Sequence, residues 1–556
     1  MVPADEGLEL TQGAAETVDS RGATVRSTAV MSGGTLLSRG TGLIRAIITV
    51  WALGFTVVSD AYNTANTTPN ILYELVLGGI LTSVFVPVLV ARAKQDGPEA
   101  RFDAAQRFFT IALVTLSVVT VLGIVAAPWI MQFYLSNVTD PVRRQQEAEL
   151  GTFFLRWFMP QVLFYGLGAV AIGVLTTHRR FAAPMYAPIL NNVIVITTMV
   201  VFIAVHGHVA QDATSLPLPA RILLGAGTTA GIVAMTLALW PSLRRIGFRW
   251  RFRWDWRHES VRRLIHLGRW VVVYVVANQI AYAIIINLAS TVGTGAYTIY
   301  ANAFIFFSLP HAIVAVSIFT ALLPGLTERW ESRDVDGVRD LFSRGFRDTM
   351  IAMIPAAAGY LVLAQPIASL LGHGAVTPAE VPVLGRTLAA FAIGLPFFSA
   401  FQLLTRTLYA TGDARTPAFV NIGVGVVNVG VDLLVIYALH LGTAGLALGH
   451  ASSYVFGSIV LLVIVNRRLG GADVPRIGRT LAKTLAAAIV TAAAAAGAAA
   501  LVGIPLDVDR VVPRLIQVGV AVLVGVLVFL VSARIVAIQE VDEVKDALLA
   551  GVRRRR

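Results

Sequence analysis

The sequence predicts an all-α polytopic membrane protein with fourteen transmembrane helices. Two parallel six-helix repeats, an N-lobe and a C-lobe, are expected to precede two further C-terminal helices. Three observations carry this prediction. The composition is 56% hydrophobic and only 14% charged, where a soluble chain carries about a quarter charged residues, and the mean hydropathy is +0.73. Basic residues gather in alternate loops along the whole chain. Residue patterns in the first half also recur in the second.

A membrane-spanning helix needs about 20 apolar residues. On that template the first six spans lie near 29–53, 61–91, 106–135, 152–177, 183–206 and 218–243. The next six lie near 263–292, 296–326, 347–372, 382–410, 417–440 and 443–466, and the last two near 477–503 and 511–538. One set of loops holds Arg92, Lys94, Arg101 and Arg107, then His178, Arg179 and Arg180, then the eight arginines from Arg244 to Arg263. It continues through Arg329, Arg333 and Arg339, Arg406 and Arg415, Arg467 to Arg479, and ends at Arg553 to Arg556. The intervening loops are sparse in basic residues. Lys and Arg accumulate on the cytoplasmic side, so both termini are expected in the cytoplasm of a cell whose plasma membrane the chain crosses. A missed helix would have inverted the alternation downstream.

Pro87, Arg92, Asp103 and Arg107 precede Pro324, Arg329, Asp340 and Arg344 by a constant 237 residues, and Leu175, Pro184 and Ile189 precede Leu408, Pro417 and Ile422 by 233. This argues for duplication of a six-helix unit. An even number of helices puts both copies in the same orientation, with a substrate site between them. The expected organisation is a polar, disordered cytoplasmic tail at 1–27, the N-lobe at 28–247 and a basic linker at 248–262. The C-lobe follows at 263–468, the last two spans at 469–540 and a basic cytoplasmic tail at 541–556. The tail to Thr24 lacks the basic start and apolar run of a signal peptide, so the first span is expected to act as its own insertion signal. The linker interleaves Arg with Trp, which reads as an interfacial segment or a surface collecting an anionic lipid. The Ala-rich thirteenth span suits close helix packing.

Composition excludes several functions. The chain has no cysteine, which removes disulfides and thiolate metal sites. Its nine histidines fall outside any metal-ligand spacing, and no phosphate-binding loop, nucleophile elbow or Gly-rich cofactor motif is present. No enzyme activity and no resident cofactor are therefore expected, and energy would come from sodium, the membrane potential or substrate flow. The net charge of +12 fits cytoplasmic loops beside anionic lipid better than nucleic acid.

The chemistry concentrates in Leu36–Val90, apolar enough for a bilayer yet carrying Arg39, Arg45, Asp60 and Glu74. A charge at mid-membrane costs about 2.5–3.5 kcal/mol on insertion scales, so these four should line a polar interior. Arginine stays charged when buried and binds phosphate bidentately, which suits an anionic substrate such as a pyrophosphate; the alternative for each is snorkelling to headgroups. Arg39 and Arg45 lie about 120° apart around a helix and would share a cavity if it bent at Gly40 or Gly42. Asp60 reads equally as a helix N-cap or a cavity residue. Pro69-Asn70 should break the second helix early and free backbone groups, and Glu74 could pair with an arginine. Asn428 and Asp432, four apart in the eleventh span, share a face and could hold a sodium ion, carry a proton, or simply bond between helices.

SRGTGLIR (Ser38–Arg45), Asp60-Ala61, Pro69-Asn70, Gly78-Gly79 and Phe85–Pro87 resemble the MviN/MurJ-type lipid II flippases of the multidrug/oligosaccharidyl-lipid/polysaccharide exporter superfamily. RRFAAPMYAPILN (Arg179–Asn191) and YATGDARTP (Tyr409–Pro417) are similar to that family's later segments. The resemblance implies a V-shaped cavity between two lobes and transfer of an undecaprenyl-pyrophosphate-linked peptidoglycan precursor to the outer leaflet by alternating access. It places the family's arginines on Arg39 and Arg45 and its acidic residue on Asp60. Its later arginine pair falls instead on Tyr73 and Glu74, and its Asp-Arg pair near Phe304 and Ile305. Asn428 and Asp432 match a sodium-binding pair of some members, whose seventh-span acidic position falls near the apolar Ile285.

The leading expectation is thus a lipid II flippase, with Arg39, Arg45, Asp60, Asn70 and Glu74 as substrate-binding residues and Asn428 and Asp432 as ion-coupling residues. Its expected partners are lipid II, anionic membrane lipids and cell-wall synthesis proteins, with no nucleic acid. The alternatives are a flippase for another polyprenyl-pyrophosphate glycan, a drug exporter of the same superfamily, and a non-transporting scaffold for cell-wall synthesis.

Overall fold

The computed structural model describes residues 33–74, 89, 98–178, 180–211, 214–257, 259–471, 473–506 and 510–541. Both terminal tails, Gly78-Gly79, Phe85–Pro87, Arg92, Lys94 and Arg179 lie outside the described residues.

The described chain is predominantly helical, and its ordered elements are all helices among the described residues. The first half comprises α1 (Gly33–Leu53), α2 (Val57–Tyr73), α3 (Pro98–Tyr134), α4 (Pro141–Phe158), α5 (Pro160–Thr177), α6 (Ala182–His206), α7 (Leu218–Leu237) and α8 (Trp240–Arg245). The second half comprises α9 (Glu259–Val292), α10 (Ala296–Pro310), a π-turn at His311–Ala315, α11 (Val316–Glu331), α12 (Val335–Ser369), α13 (Glu380–Ala410), α14 (Arg415–Tyr437) and α15 (Gly442–Arg468). Then come α16 (Val474–Gly503) and α17 (Val511–Ile535). Thirteen described segments are long and apolar enough to cross a membrane, with α4–α5, α7–α8 and α10–α11 each forming one span. The second expected span is described only as far as Glu74.

Sequence explains where many helices start. Thr56 and Ser59 form a reciprocal capping box at α2, which satisfies two backbone donors that would otherwise be orphaned. Asp140, Asp334 and Asp473 cap α4, α12 and α16. One expectation is corrected at Pro69: α2 runs straight through it. Proline removes the bond to the carbonyl four residues back, but side chains serve the neighbouring carbonyls, Thr68 Oγ1 donating to Thr64 and Asn70 Nδ2 to Asn66. In a packed membrane interior such local bonds let a proline-bearing helix continue. α1 continues through Gly40 and Gly42 without a break in its helix.

Packing is densest within each half. In the first, α2 lies on α4, α3 on α4 and α5, and α7 on α5 and α6. In the second, α13 lies on α10, α12 and α15, α14 on α15, and α9 on α14. The halves meet through α2 against α10 and α3 against α9. The pair α16–α17 attaches to the second half through α12, burying Ala487, Ala488, Ala495 and Ala499; small residues of this kind allow close approach of helices in lipid. Just beyond α17, Glu540 accepts a 2.6 Å bond from buried Arg347 of α12, and Arg347 also donates to Ser343.

Candidate functional site

The two halves are sealed at the end of the bundle opposite the basic loops, termed here the far end. Helix α10 begins at Gly295 in the left-handed region with no capping side chain from its own neighbourhood. The cap comes from Asp60, 235 residues earlier in the chain. Its Oδ2 accepts the Gly295 N–H at 2.6 Å, and its Oδ1 accepts the Thr298 N–H at 2.9 Å and hydroxyl at 2.8 Å. A buried carboxylate on a helix N-terminus is stabilised by the oriented amides there, and Arg143 lies within electrostatic reach. Around this contact Asn137 donates to Asn287 at 2.6 Å, Arg143 to the Gly293 carbonyl at 3.0 Å, and Ser290 to the Tyr134 carbonyl at 2.9 Å. The Ala375 amide donates to the Trp51 carbonyl at 2.9 Å. The backbones approach so closely that a Cβ on Gly295 would sit 2.2 Å from the Phe55 carbonyl oxygen.

From Asp60 the seam descends along one face of α2. Asn63 donates to Thr298 at 3.2 Å, and Thr67 bonds Tyr297 at 2.8 Å. Below these, α2 and α10 divide the space between the halves into two compartments. On the first-half side a small cavity of about 90 Å³ is lined by Arg45, Asn63, Asn66, Tyr165, Asn191 and Asn302, with Ile305. On the second-half side a cavity of about 330 Å³ is lined by Asn70, Glu74, Asn278, Gln279, Asn428 and His450, with Phe304. The structure therefore does not bring all the expected substrate residues together. Arg45 is in one compartment, while Asn70 and Glu74 are in the other. Glu74 makes no ion pair with an arginine among the described residues. Asp60 is nearly fully buried in the seam rather than lining either cavity. Asn70 reaches towards Tyr165 as well as its own helix.

Arg39 lies nearer the basic end and is exposed. It acts electrostatically on His311 of the second half, as does Arg406 of α13. His311 sits in the π-turn that follows Pro310, bonded to Ser399 at 2.9 Å. Arg406 is half-buried, its guanidinium 5.1 Å from the centre of the Phe319 ring. The sequence groups Arg406 with the basic loop charges, although the expected span at 382–410 already contains it. The signal against that was Gly412, six residues later, which closes α13 with φ +78° and so leaves Arg406 inside the helix.

Asn428 donates to Asp432 Oδ2 at 3.0 Å. Oδ1 of this fully buried carboxylate has no hydrogen-bond partner and faces Gly449, whose Cα would place a Cβ 1.9 Å away. With the amide nitrogen turned to the carboxylate and Ile285 apolar and buried, the pair offers few oxygens to a cation, which for sodium or calcium are the usual donors.

These features define a polytopic membrane transporter with a polar, partly cationic cleft between two helical halves, closed at the far end. The chain belongs to the lipid II flippase MurJ family: the family model matches residues 50–516. The lipid II flippase MurJ of Burkholderia cenocepacia is 29% identical over 448 residues, covering 80% of this chain and 84% of the relative. The probable lipid II flippase MurJ of Rhizobium meliloti is 29% identical over 461 residues, covering 82% and 83%. Among solved structures, one described as lipid II flippase MurJ in an inward closed conformation superposes with a TM-score of 0.71 at 20% identity, covering 91% of this chain and 98% of that one. An inward-facing multidrug resistance MATE family transporter of the MOP superfamily gives 0.63 at 15% identity, covering 77% and 94%. The fold is therefore shared across the superfamily, and the family is one of transporters rather than enzymes.

Proposed function

We infer that this chain flips lipid II from the inner to the outer leaflet by alternating access, with its basic end and both termini in the cytoplasm. The carrying observation is that a chain of this family holds an arginine, Arg45, in a cleft between the halves, with the described cross-half hydrogen bonds gathered at the end remote from the basic loops. In this reading a pyrophosphate entering from the basic end meets Arg39 and Arg406 on opposite halves, then Arg45 beyond them. Arginines in a cleft of low dielectric make strong, geometrically selective bonds to phosphate oxygens. The amides of Asn63, Asn66, Asn191 and Asn302 around Arg45 would supply donors for sugar or peptide groups. The polyprenyl tail would stay in lipid; an apolar groove of about 700 Å³ between α12, α13, α15 and α16, lined by residues such as Met350, Leu361, Phe397 and Leu485, suits a hydrocarbon chain. Asp432, with one unpartnered oxygen, suits a proton better than sodium as a coupling ion.

Purified protein in vesicles with defined lipid II tests this reading. Arg45→Ala and Arg406→Ala should each lower the flipping rate at least tenfold, since a charge-assisted bond contributes about 1.5–3 kcal/mol, and Arg45→Lys should restore it only in part. Full activity in both alanine variants overturns the arginine assignment. One observation favours a second reading, export of a cationic compound: the larger compartment contains the carboxylate of Glu74 and no arginine. Transport of such a compound that is lost in Glu74→Gln, with no movement of lipid II, would establish it instead.

A further inference from the structure

The segment joining the two halves alternates with a period of two: Arg249, Trp250, Arg251, Phe252, Arg253, Trp254, Asp255, Trp256, Arg257. It is non-helical from Arg249 to Asp255, and in an extended chain successive side chains point to opposite faces. Two odd-numbered side chains, Arg253 and Asp255, fasten the strap to α3. Arg107 of α3 bridges Asp103 at 2.9 Å and Asp255 at 2.7 Å, and Arg253 pairs with Asp103. The backbone is held too, Gln106 donating to the Arg249 carbonyl at 2.8 Å and the Arg253 N–H to Thr110 Oγ1 at 3.0 Å. Phe248, packed on Phe102 and Phe109, fixes where the strap begins.

The even-numbered rings are left uncovered, with the odd-numbered arginines exposed between them. Trp250 is 39% exposed, Phe252 62%, Trp254 50% and Trp256 56%. Four large rings in a row on one surface are more than scattered exposure explains and mark an interaction site. The depth of the strap says what meets them. The lipid-facing side chains of α3 run from Val118 to Phe133, and Trp129 is 65% exposed. Thr110, the strap's anchor, precedes Trp129 by nineteen residues, about 28 Å along a helix. A hydrocarbon core is about 30 Å thick, so with Trp129 at the far interface the strap lies at the other one. Trp prefers that depth. The two carboxylates, Asp103 and Asp255, are taken up by Arg107 and Arg253, which leaves the charges of Arg249, Arg251 and Arg257 for a partner. The Arg257 guanidinium lies 5.3 Å from the Trp256 ring centre.

We propose that this strap is a binding site for anionic phospholipid headgroups, with the Trp250–Phe252–Trp254–Trp256 comb inserted at headgroup depth in the leaflet at the basic end and Arg249, Arg251 and Arg257 on the lipid phosphates. The strap so anchored holds the cytoplasmic end of the first half at a fixed depth, independent of what the transporter carries.

The chain has no cysteine, so single-cysteine variants of the full-length protein need no background removal. Spin labels at Arg251, Phe252, Trp254 and Arg257 are placed one at a time in vesicles of zwitterionic lipid, with and without about a third phosphatidylglycerol, and their accessibility to oxygen and to a water-soluble nickel relaxant is compared. The expected result is an even–odd alternation of at least about threefold, 252 and 254 in lipid and 251 and 257 in water, that weakens without phosphatidylglycerol and in Arg249→Gln/Arg251→Gln. Equal water access at even and odd positions overturns the proposal, and points to a protein partner for the rings. Alternation indifferent to phosphatidylglycerol overturns the assignment of anionic lipid.

Discussion

The contact with the largest predicted consequence is the Asp60 cap on α10. Asp60→Asn preserves shape and removes charge. Its carbonyl oxygen can keep the two bonds from Thr298, but the amide nitrogen then faces the Gly295 N–H, donor against donor. A hydrogen bond to a charged group contributes about 1.5–3 kcal/mol, and a buried donor left unmade costs about 1–3 kcal/mol. The lost attraction between carboxylate and helix N-terminus adds about 0.3–1 kcal/mol. These overlap, and a combined loss of about 3 kcal/mol corresponds to a shift of roughly 150-fold towards states in which the far end is open. Thr298→Val removes only the hydroxyl donor and should move the balance about fivefold, for about 1 kcal/mol.

Double electron–electron resonance between spin labels at Thr139 and Thr294, exposed positions on opposite sides of the seam, reads the population directly. The wild type should give a short distance. Asp60→Asn should add a longer one, Asp60→Ala should raise it further, and Thr298→Val should raise it least. Unchanged distance distributions in all three variants, with the protein still folded, would refute the reasoning that this carboxylate holds the far end shut.

Three further outcomes follow from contacts elsewhere. Asp413 caps α14 through the Arg415 and Thr416 amides and the Thr416 hydroxyl, and Arg468 lies 2.5 Å away; burial pushes its pKa up, but Thr416 and Arg468 outweigh that and hold it below the usual carboxylate range. With the folded pKa below the unfolded one, its stabilisation is full above the unfolded value and is lost as pH falls through the folded value, so Asp413→Ala should cost about 1–2 kcal/mol near neutrality and nothing in acid, read by thermal unfolding against pH. Removing either member of the buried Arg347–Glu540 pair should destabilise by about 3–5 kcal/mol, whereas Arg347→Met/Glu540→Leu together should recover most of it, a double-mutant cycle in detergent-solubilised protein being the check. Gly449→Ala should cost about 1–3 kcal/mol by overpacking against Asp432 Oδ1, with the loss relieved in Gly449→Ala/Asp432→Ala when unfolding midpoints are compared.

The spans were legible because bilayer thickness imposes a length and composition that a sequence shows directly, and the close packing of α16 could be read from its small residues alone. Asp60 shows where such reading stops. Its partner, the start of α10, is 235 residues away, and the only local hint was a helix that begins on glycine without a cap. Arg406, inside the expected span 382–410 yet grouped with the loop charges, shows the ambiguity of a charge near a helix end, which looks the same whether the helix stops before or after it. The α2 break expected at Pro69 failed for a third reason: Asn70 and Thr68 satisfy backbone carbonyls locally, and nothing in a hydropathy profile shows those bonds. Which expected site residues share a compartment depended on α2 lying against α10, a packing detail that spacing within either helix does not contain.

On the proposed alternating-access reading, the far-end seam and the arginines near the basic end would act on opposite sides of one equilibrium. A ligand can shift a two-state balance only by its difference in affinity for the two states. To open the seam it must offset the Asp60 cap, about 3 kcal/mol by the reasoning above, together with the smaller bonds from Asn137, Arg143 and Ser290. Arg39 and Arg406 come from different halves, so a doubly charged phosphate held between them is bound more tightly when the basic end closes. Two charge-assisted contacts, at about 1.5–3 kcal/mol each, are of the size required. A singly charged ligand engaging one of them is not. On the proposed reading, discrimination for a pyrophosphate would then arise less from the number of arginines, which is low where Tyr73, Glu74, Phe304 and Ile305 stand, than from their placement on opposing halves. On that reading, joining Arg39 and Arg406 to a single anion would be the step that converts binding into release of Asp60.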